Sequence, residues 1–194
     1  EELEQHRAHL EELVERRTGE LDAALKELSA LFEAASAGIV LLRSRTIVHC
    51  NHRFDEMLGY AHGEQLGQPT RVWYFDEATY EEIGREIYPR MQRGEIDLRE
   101  MRFKRKDGEE LWCRVSSRAI NPGRVDDGLV VIIDDISDER AAAEALRQSM
   151  DRQQAIFEAA SAGIMLVRHR VIEHCNRRLE ELTGYAQGEL LGRS

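Results

Sequence analysis

Residues 32–67, FEAASAGIVLLRSRTIVHCNHRFDEMLGYAHGEQLG, return at 157–192 as FEAASAGIMLVRHRVIEHCNRRLEELTGYAQGELLG. The two segments agree at 24 of 36 positions, without a gap, at a constant offset of 125. An ungapped match of that length marks duplication of one structural unit, and the period is far too long for a solenoid. The chain of 194 residues therefore reads as one complete module, a connector and the opening of the same module again. The expected segments are a coiled-coil-type helix over 1–31, a first module over 32–136, a connecting helix over 137–156 and an incomplete second module over 157–194. A module of about 100 residues is long enough to bury a modest core.

The formal charge of −10 and a pI near 5.3 argue against a nucleic-acid binder or a binder of anionic membranes. The basic cluster Arg102, Lys104, Arg105 and Lys106 sits beside Asp107, Glu109 and Glu110, which reads as a solvated hairpin. Three cysteines is an odd count, and Cys50 and Cys175 are repeat equivalents, so no disulfide framework follows and a reducing compartment is expected. No leader-like segment and no apolar run near 18 residues is present. The expectation is a cytoplasmic segment without membrane contact, whose parent protein is free to carry membrane segments upstream.

Residues 1–36 contain no Pro, and Gly19 is their single weak point as a helix. With Arg7, Val14, Leu21 and Leu28 at heptad position a, the d positions are Leu3, Leu10, Arg17, Ala24 and Leu31. Seven of these nine are apolar, the pattern of a two-stranded parallel coiled coil and hence of a homodimer. A single amphipathic helix packed on its own module is the other account of the same stripe.

After Gly38 the period changes from helical to alternating. Ile39–Arg43 and Thr46–Cys50 read as strands joined by a tight Ser44-Arg45 turn. Asn51 suits an N-cap, residues 52–58 a short helix, and Gly59 its C′ position. A second short helix is expected over 62–66, a loop over RVWYF (71–75), and a helix over 77–93 with Pro89 in its last turn. Residues 96–103 and 111–116 alternate around Asp107-Gly108, a strong hairpin signal, and Asn121-Pro122-Gly123 is a second turn. The run LVVII (129–133) suggests a central strand covered on both faces. A second long helix is expected from Ser137, as N-cap, to about Ser161. The fold class is α+β: a five-stranded antiparallel sheet with helices on one face, flanked by long coiled-coil-type helices.

Several motifs in this order resemble the PAS domain of bacterial signalling proteins: AGIVLL, the Asn51 that opens the first short helix, LGY ending at Tyr60, RKDGEELW, and DIS at 135–137. The resemblance covers 32–140 in full and 157–194 in part. LEELVERRTGEL is similar to the coiled-coil linkers that precede such domains in histidine kinases and diguanylate cyclases. The DIS triplet resembles the family's DIT motif, with Ser for Thr. The resemblance implies a relay junction at Asp135, Ile136 and Ser137, with Arg140 as a salt-bridge partner. Adjacent strand residues point to opposite faces, so Asp134 and Asp135 suit junction anchoring better than metal or acid–base work.

A sheet with helices across one face can enclose a small cavity, and its candidate lining is Ile39, Leu41, Trp73, Tyr74, Phe103 and Trp112. Ordinary core and lid packing is the other account of these side chains. No cofactor is expected. Haem-binding members carry their proximal His on the long helix before the sheet, and residues 70–94 contain no His. The light-sensing subclass resembles GRNCRFLQ, with Cys after Asn, whereas here Cys50 precedes Asn51. The expectation is a non-enzymatic sensory and dimerisation region that detects a small molecule or a partner and drives a downstream kinase or cyclase. A ligand-free protein-interaction module is the alternative, with a haem-based redox or gas sensor behind it.

Overall fold

The computed structural model describes residues 2–193, and the side chains of residues 2–5 and 8 lie outside the description. Heptad position Leu3 is therefore outside the described side chains. The chain divides into two compact units, 1–137 and 138–194.

In the first unit, α1 (Glu2–Ala34) leads into a hairpin of β1 (Gly38–Arg43) and β2 (Thr46–Cys50). Ser44 and Arg45 have φ of 49° and 61°, the left-handed pair that a two-residue hairpin turn requires. The short helix α2 (His52–Leu58) follows, then a 3₁₀ turn at Thr70–Trp73 and α3 (Glu77–Gln92). Strands β3 (Asp97–Lys104), β4 (Glu110–Ala119) and β5 (Leu129–Asp135) complete a five-stranded sheet of order β2-β1-β5-β4-β3. Every pairing is antiparallel.

One face of the sheet makes the core. Val40, Leu42, Ile47, Phe103, Leu111, Cys113, Val115, Leu129, Val131 and Ile133 are buried there against Phe54, Leu58, Trp73 and Met91. Each large apolar side chain so buried is worth about 1.5–3 kcal/mol. The expectation that β5 is covered on both faces is corrected. It lies at the centre of the sheet, but its alternate residue Ile132 is 40% exposed. The apolar run reflects hydrogen bonding on both edges, with only one face packed.

Two local expectations also change. Residues 62–67 form successive turns in place of a helix, because Gly63 and Gly67 adopt φ of 77° and 79°, outside helical space. The stretch expected as a loop contains the 3₁₀ turn that delivers Trp73 into the core at 2% exposure.

Asn51 ties these elements together while wholly buried. Its Oδ1 accepts from Ile39 N at 2.8 Å and from Phe54 N at 3.1 Å. Its Nδ2 donates to Phe32 O and Ala37 O, both at 3.0 Å. One side chain thus caps α2, starts β1 and fastens the last turn of α1.

The second unit holds most of α4 (Ser137–Ala159), then β6 (Met165–Arg168), β7 (Val171–Cys175) and α5 (Arg177–Thr183). Asn176 repeats the fastening, with Ile164 N at 2.8 Å, Leu179 N at 3.1 Å, Phe157 O at 3.0 Å and Ala162 O at 2.9 Å. The expected second short helix of this copy is again a set of turns. Its β6 residues Met165 and Val167, which correspond to core residues Val40 and Leu42, are 54% and 49% exposed.

Removing the fastening should be costly. Asn51→Ala deletes four hydrogen bonds and leaves buried partners unmet, at about 1 kcal/mol or more for each. Urea unfolding should show a loss of about 4 kcal/mol; a loss below about 1 kcal/mol would contradict this role.

Candidate functional site

Between the sheet and α3 lies a cavity of about 50 Å³. Its wall is largely apolar, with Leu42, Leu129, Val131 and Val115 from the sheet and Ile83 and Ile87 from α3. Of the residues expected to line it, Trp73, Tyr74 and Phe103 do so. They pack as a chain of rings, with Phe54–Trp73, Trp73–Phe103 and Tyr74–Phe103 centroids 5.1, 5.7 and 5.9 Å apart. Ile39, Leu41 and Trp112 do not line it and are corrected. Each alternates with a core residue on its own strand, Val40, Leu42 and Leu111 respectively, so the pleat turns it to the opposite face. Trp112 stands there with the Arg102 guanidinium 5.8 Å from its ring centroid.

Sequence reasoning missed the polar part of the wall: Arg45, Thr70, Tyr88, Arg99 and Ser117. Arg99 occupies an inward position of β3, between Asp97 and Met101. It donates to Asp97 at 2.6 and 2.9 Å and to Glu86 of α3 at 3.0 Å. Asp97, 1% exposed, also receives Arg90 at 2.5 Å. Counting back by twos from Phe103 and Met101 would have put Arg99 and Asp97 on the inner face. Arg45 reaches from the β1–β2 turn onto α3. Its guanidinium carbon sits 3.3 Å from the Tyr80 ring centroid, and Nη2 donates to the Tyr80 carbonyl. A Cβ at Gly84 would come within 2.6 Å of Arg45 Nη1, so the missing side chain makes the notch that admits the arginine.

A buried polar chain runs beside the cavity. Trp73 Nε1 donates to Gln65 Oε1 at 2.7 Å, and Gln65 Nε2 donates to Asp55 Oδ1 at 2.8 Å. Asp55, fully buried, also accepts from Gly63 N at 2.9 Å and from the Cys50 thiol at 3.4 Å. Desolvation, reinforced by Asp55, pushes the Cys50 thiol up to about 12, and burial with Asp135 and Asp134 nearby does the same for Cys113. Burial also pushes Tyr74 up to about 12, keeping its hydroxyl a donor. The second copy carries Glu180 and Leu190 where the first has Asp55 and Gln65: Glu180 still accepts from Gly188 N and the Cys175 thiol, but the Gln65 link is not repeated.

At the far end of the sheet, β5 passes into α4. Ile136, 2% exposed, donates its N–H to Trp112 O at 2.9 Å. The Trp112 N–H donates to Ser137 Oγ at 3.2 Å, and the Ser137 N–H to Asp135 Oδ1 at 2.9 Å. Ser137 is thus the first helical residue, and its hydroxyl holds β4, where an N-cap bonded to its own helix was expected. Arg140 lies within the first turn of α4.

The geometry does not suit haem or flavin. Drug-sized ligands occupy about 300–1,000 Å³, against about 50 Å³ in the cavity under α3. The described cavity wall contains neither His nor Cys.

Models of the PAS domain match residues 36–138 and again 151–194. The chain belongs to the PAS domain family. It is 28% identical over 126 residues to the sensor protein TdiS of Thauera aromatica, a match spanning 65% of this chain and 23% of that protein. The chain thus spans about a quarter of the length of that curated relative. The PAS domain of a LuxR-family transcriptional regulator from Burkholderia thailandensis, solved in complex with ethanol, is 29% identical with a TM-score of 0.53. That match covers 56% of this chain and 96% of the other. The PAS domain of an HTR-like protein from Haloarcula marismortui is 28% identical with a TM-score of 0.53, covering 63% of this chain and 99% of the other. The sheet order and flanking helices described above are those of a PAS sensor domain.

Two predictions follow from this geometry. In the unfolded state the Cys50 and Cys113 thiols ionise near 9, while in the fold they stay protonated to about 12. The folded state then binds more protons above pH 9, so stability must fall there as pH rises. Cys50→Ala/Cys113→Ala should flatten the decline seen in urea titrations between pH 8 and 10.5; an equal slope would contradict it. Gly84→Ala gains about 1 kcal/mol of helix propensity but displaces Arg45. Placed in an Arg45→Met background, it should stabilise by about 1 kcal/mol more than it does alone, as a double-mutant cycle reads directly.

Proposed function

We propose that this region senses a small molecule in the cavity under α3 and relays its state through α4 to an output domain of a larger signalling protein. The observation that carries this reading is one strand. Leu129 and Val131 of β5 line the cavity, and five residues further on the same strand is bonded to β4 at Ile136 and Ser137 and becomes α4 without slack. A shift of the cavity wall reaches the start of the helix through a sheet that does not deform continuously. The ethanol bound by the Burkholderia relative is of a size that suits a cavity of about 50 Å³. The smallness of the same cavity favours, as a second reading, a ligand-free module that responds to a partner protein.

The relay is read by a parallel pair of chains. Leu10, Val14, Leu21, Leu28 and Leu31 of α1 are each 48–64% exposed in the single chain, a stripe at heptad spacing that a second copy of the same helix covers. On α4, Leu146, Met150 and Ile156 are 61–65% exposed. The region itself is non-catalytic and cytoplasmic in this reading, with a histidine kinase or diguanylate cyclase as output. Among the described residues, no helix is long and apolar enough to cross a membrane.

Asp135→Ala tests the relay, because it removes the acceptor of the Ser137 N–H while leaving the core intact. In the full-length protein, signal-dependent output should collapse while the unfolding free energy changes by about 1–2 kcal/mol; normal regulation would refute the relay. Deleting residues 1–28 should lower the mass seen by sedimentation from dimer to monomer, and an unchanged dimer mass would refute this pairing.

A further inference from the structure

The charged part of the cavity wall is entirely cationic. Arg45 and Arg99 line it, and no Asp or Glu does among the described residues. Its other polar groups are hydroxyls: Thr70, Ser117, Tyr74 and Tyr88. Thr70 and Ser117, 4% and 2% exposed, stand in the buried part of that wall. A hydroxyl rotates to donate its proton, so either can serve a carboxylate oxygen. Ser117 pairs with Asp97 and Val115 with Arg99 across β3 and β4, so Ser117 is the diagonal neighbour of Arg99 on the inner face.

The two arginines are held differently. Arg99 is saturated by Asp97 and Glu86. Arg45 has one hydrogen bond, to the Tyr80 carbonyl, and its Nη1 is 3.6 Å from Glu81, too far for a hydrogen bond. Glu81 is half exposed and solvated, so its hold on Arg45 is weak. The guanidinium is a planar fork matched to a carboxylate.

We infer that the cavity is built for a small aliphatic monocarboxylate, seated with its anionic end on Arg45 and the buried hydroxyls and its alkyl end among Leu42, Val131 and Ile83. The volume of about 50 Å³ admits about three to five water-sized groups, which fits a chain of about two to three carbons. Tyr74 remains protonated and adds a donor. Binding would also move Arg45 off α3, which has a single fully buried residue, Met91, and so is the wall most easily displaced.

This assignment rests on the sensory reading above, and the experiment separates the two. Titrate the purified chain with acetate, propionate, acetamide, ethanol and propanol at constant ionic strength, following amide and methyl NMR shifts of the cavity residues. Repeat with Arg45→Met and, as a milder variant, Ser117→Ala. The expected result is saturable shifts at Leu42, Val131 and Ile83 with the carboxylates, at least tenfold weaker binding of the neutral analogues, and a tenfold or greater loss in either variant. Equal binding of alcohols and carboxylates, unaffected by Arg45→Met, would overturn the anion assignment and leave small-molecule sensing standing. Shifts confined to surface arginines would also overturn it. No cavity shift with any probe would overturn both the assignment and the small-molecule reading, in favour of partner sensing.

Discussion

Four hydrogen bonds from one buried amide, that of Asn51, decide how the sensor meets its helix. A carboxamide has two acceptor lone pairs and two donor protons, and here all four are used. The acceptor side organises β1 and the cap of α2, while the donor side reaches the Phe32 carbonyl in the last turn of α1 and the Ala37 carbonyl just before β1. Aspartate, of the same size and shape, supplies acceptors alone when ionised. Asn176 makes the same four bonds in its own copy, one of them to Phe157 O in the incoming helix. The last turn of a helix leaves carbonyls without partners, and in both copies the module meets that need at Phe32 or Phe157.

The exit from the first module is held by different chemistry. Backbone groups of Trp112 and Ile136, the Ser137 hydroxyl and the Asp135 carboxylate close the junction between sheet and α4. Between entry and exit lies α3, held on the sheet by Met91, Ile87 and Tyr88 and by the contacts of Arg45 and Arg99. A helix with one fully buried residue, lying over a small cavity, is drawn from the less stable part of a fold, as a sensing wall needs to be. The rigid parts and the adjustable part are thus made from different interactions.

Much of this was legible in the sequence. Thr46–Cys50 and the helix 52–58 fall where alternation and the Asn51 and Gly59 caps put them, because those signals act over a few residues. The duplication gave the second copy without any further reasoning. The helix expected over 62–66 is a set of turns because the glycine φ values, and the Asp55 carboxylate that binds Gly63, depend on tertiary context. Trp112 was placed at the cavity for its aromatic surface, although its alternation with Leu111 and Cys113 already pointed it outward. Arg45, Arg99, Asp97 and Gln65 carry no local signal of burial. Their burial rests on partners up to tens of positions away, and a charge on an inner strand face is recognised only when the strand's parity is counted.

The central claim is that each Asn fastens its own incoming helix, independently in the two copies. Asn51→Asp keeps an acceptor for Ile39 and Phe54 but loses both donors to Phe32 O and Ala37 O, and Asn176→Asp does the same at Phe157 O and Ala162 O. Native-state hydrogen exchange on the intact chain, resolved by residue, tests this directly. The account predicts faster exchange in the last turn of α1 alone for Asn51→Asp, and in the last turn of α4 alone for Asn176→Asp. Unchanged protection of these turns, or loosening of both helices by either variant, would contradict it.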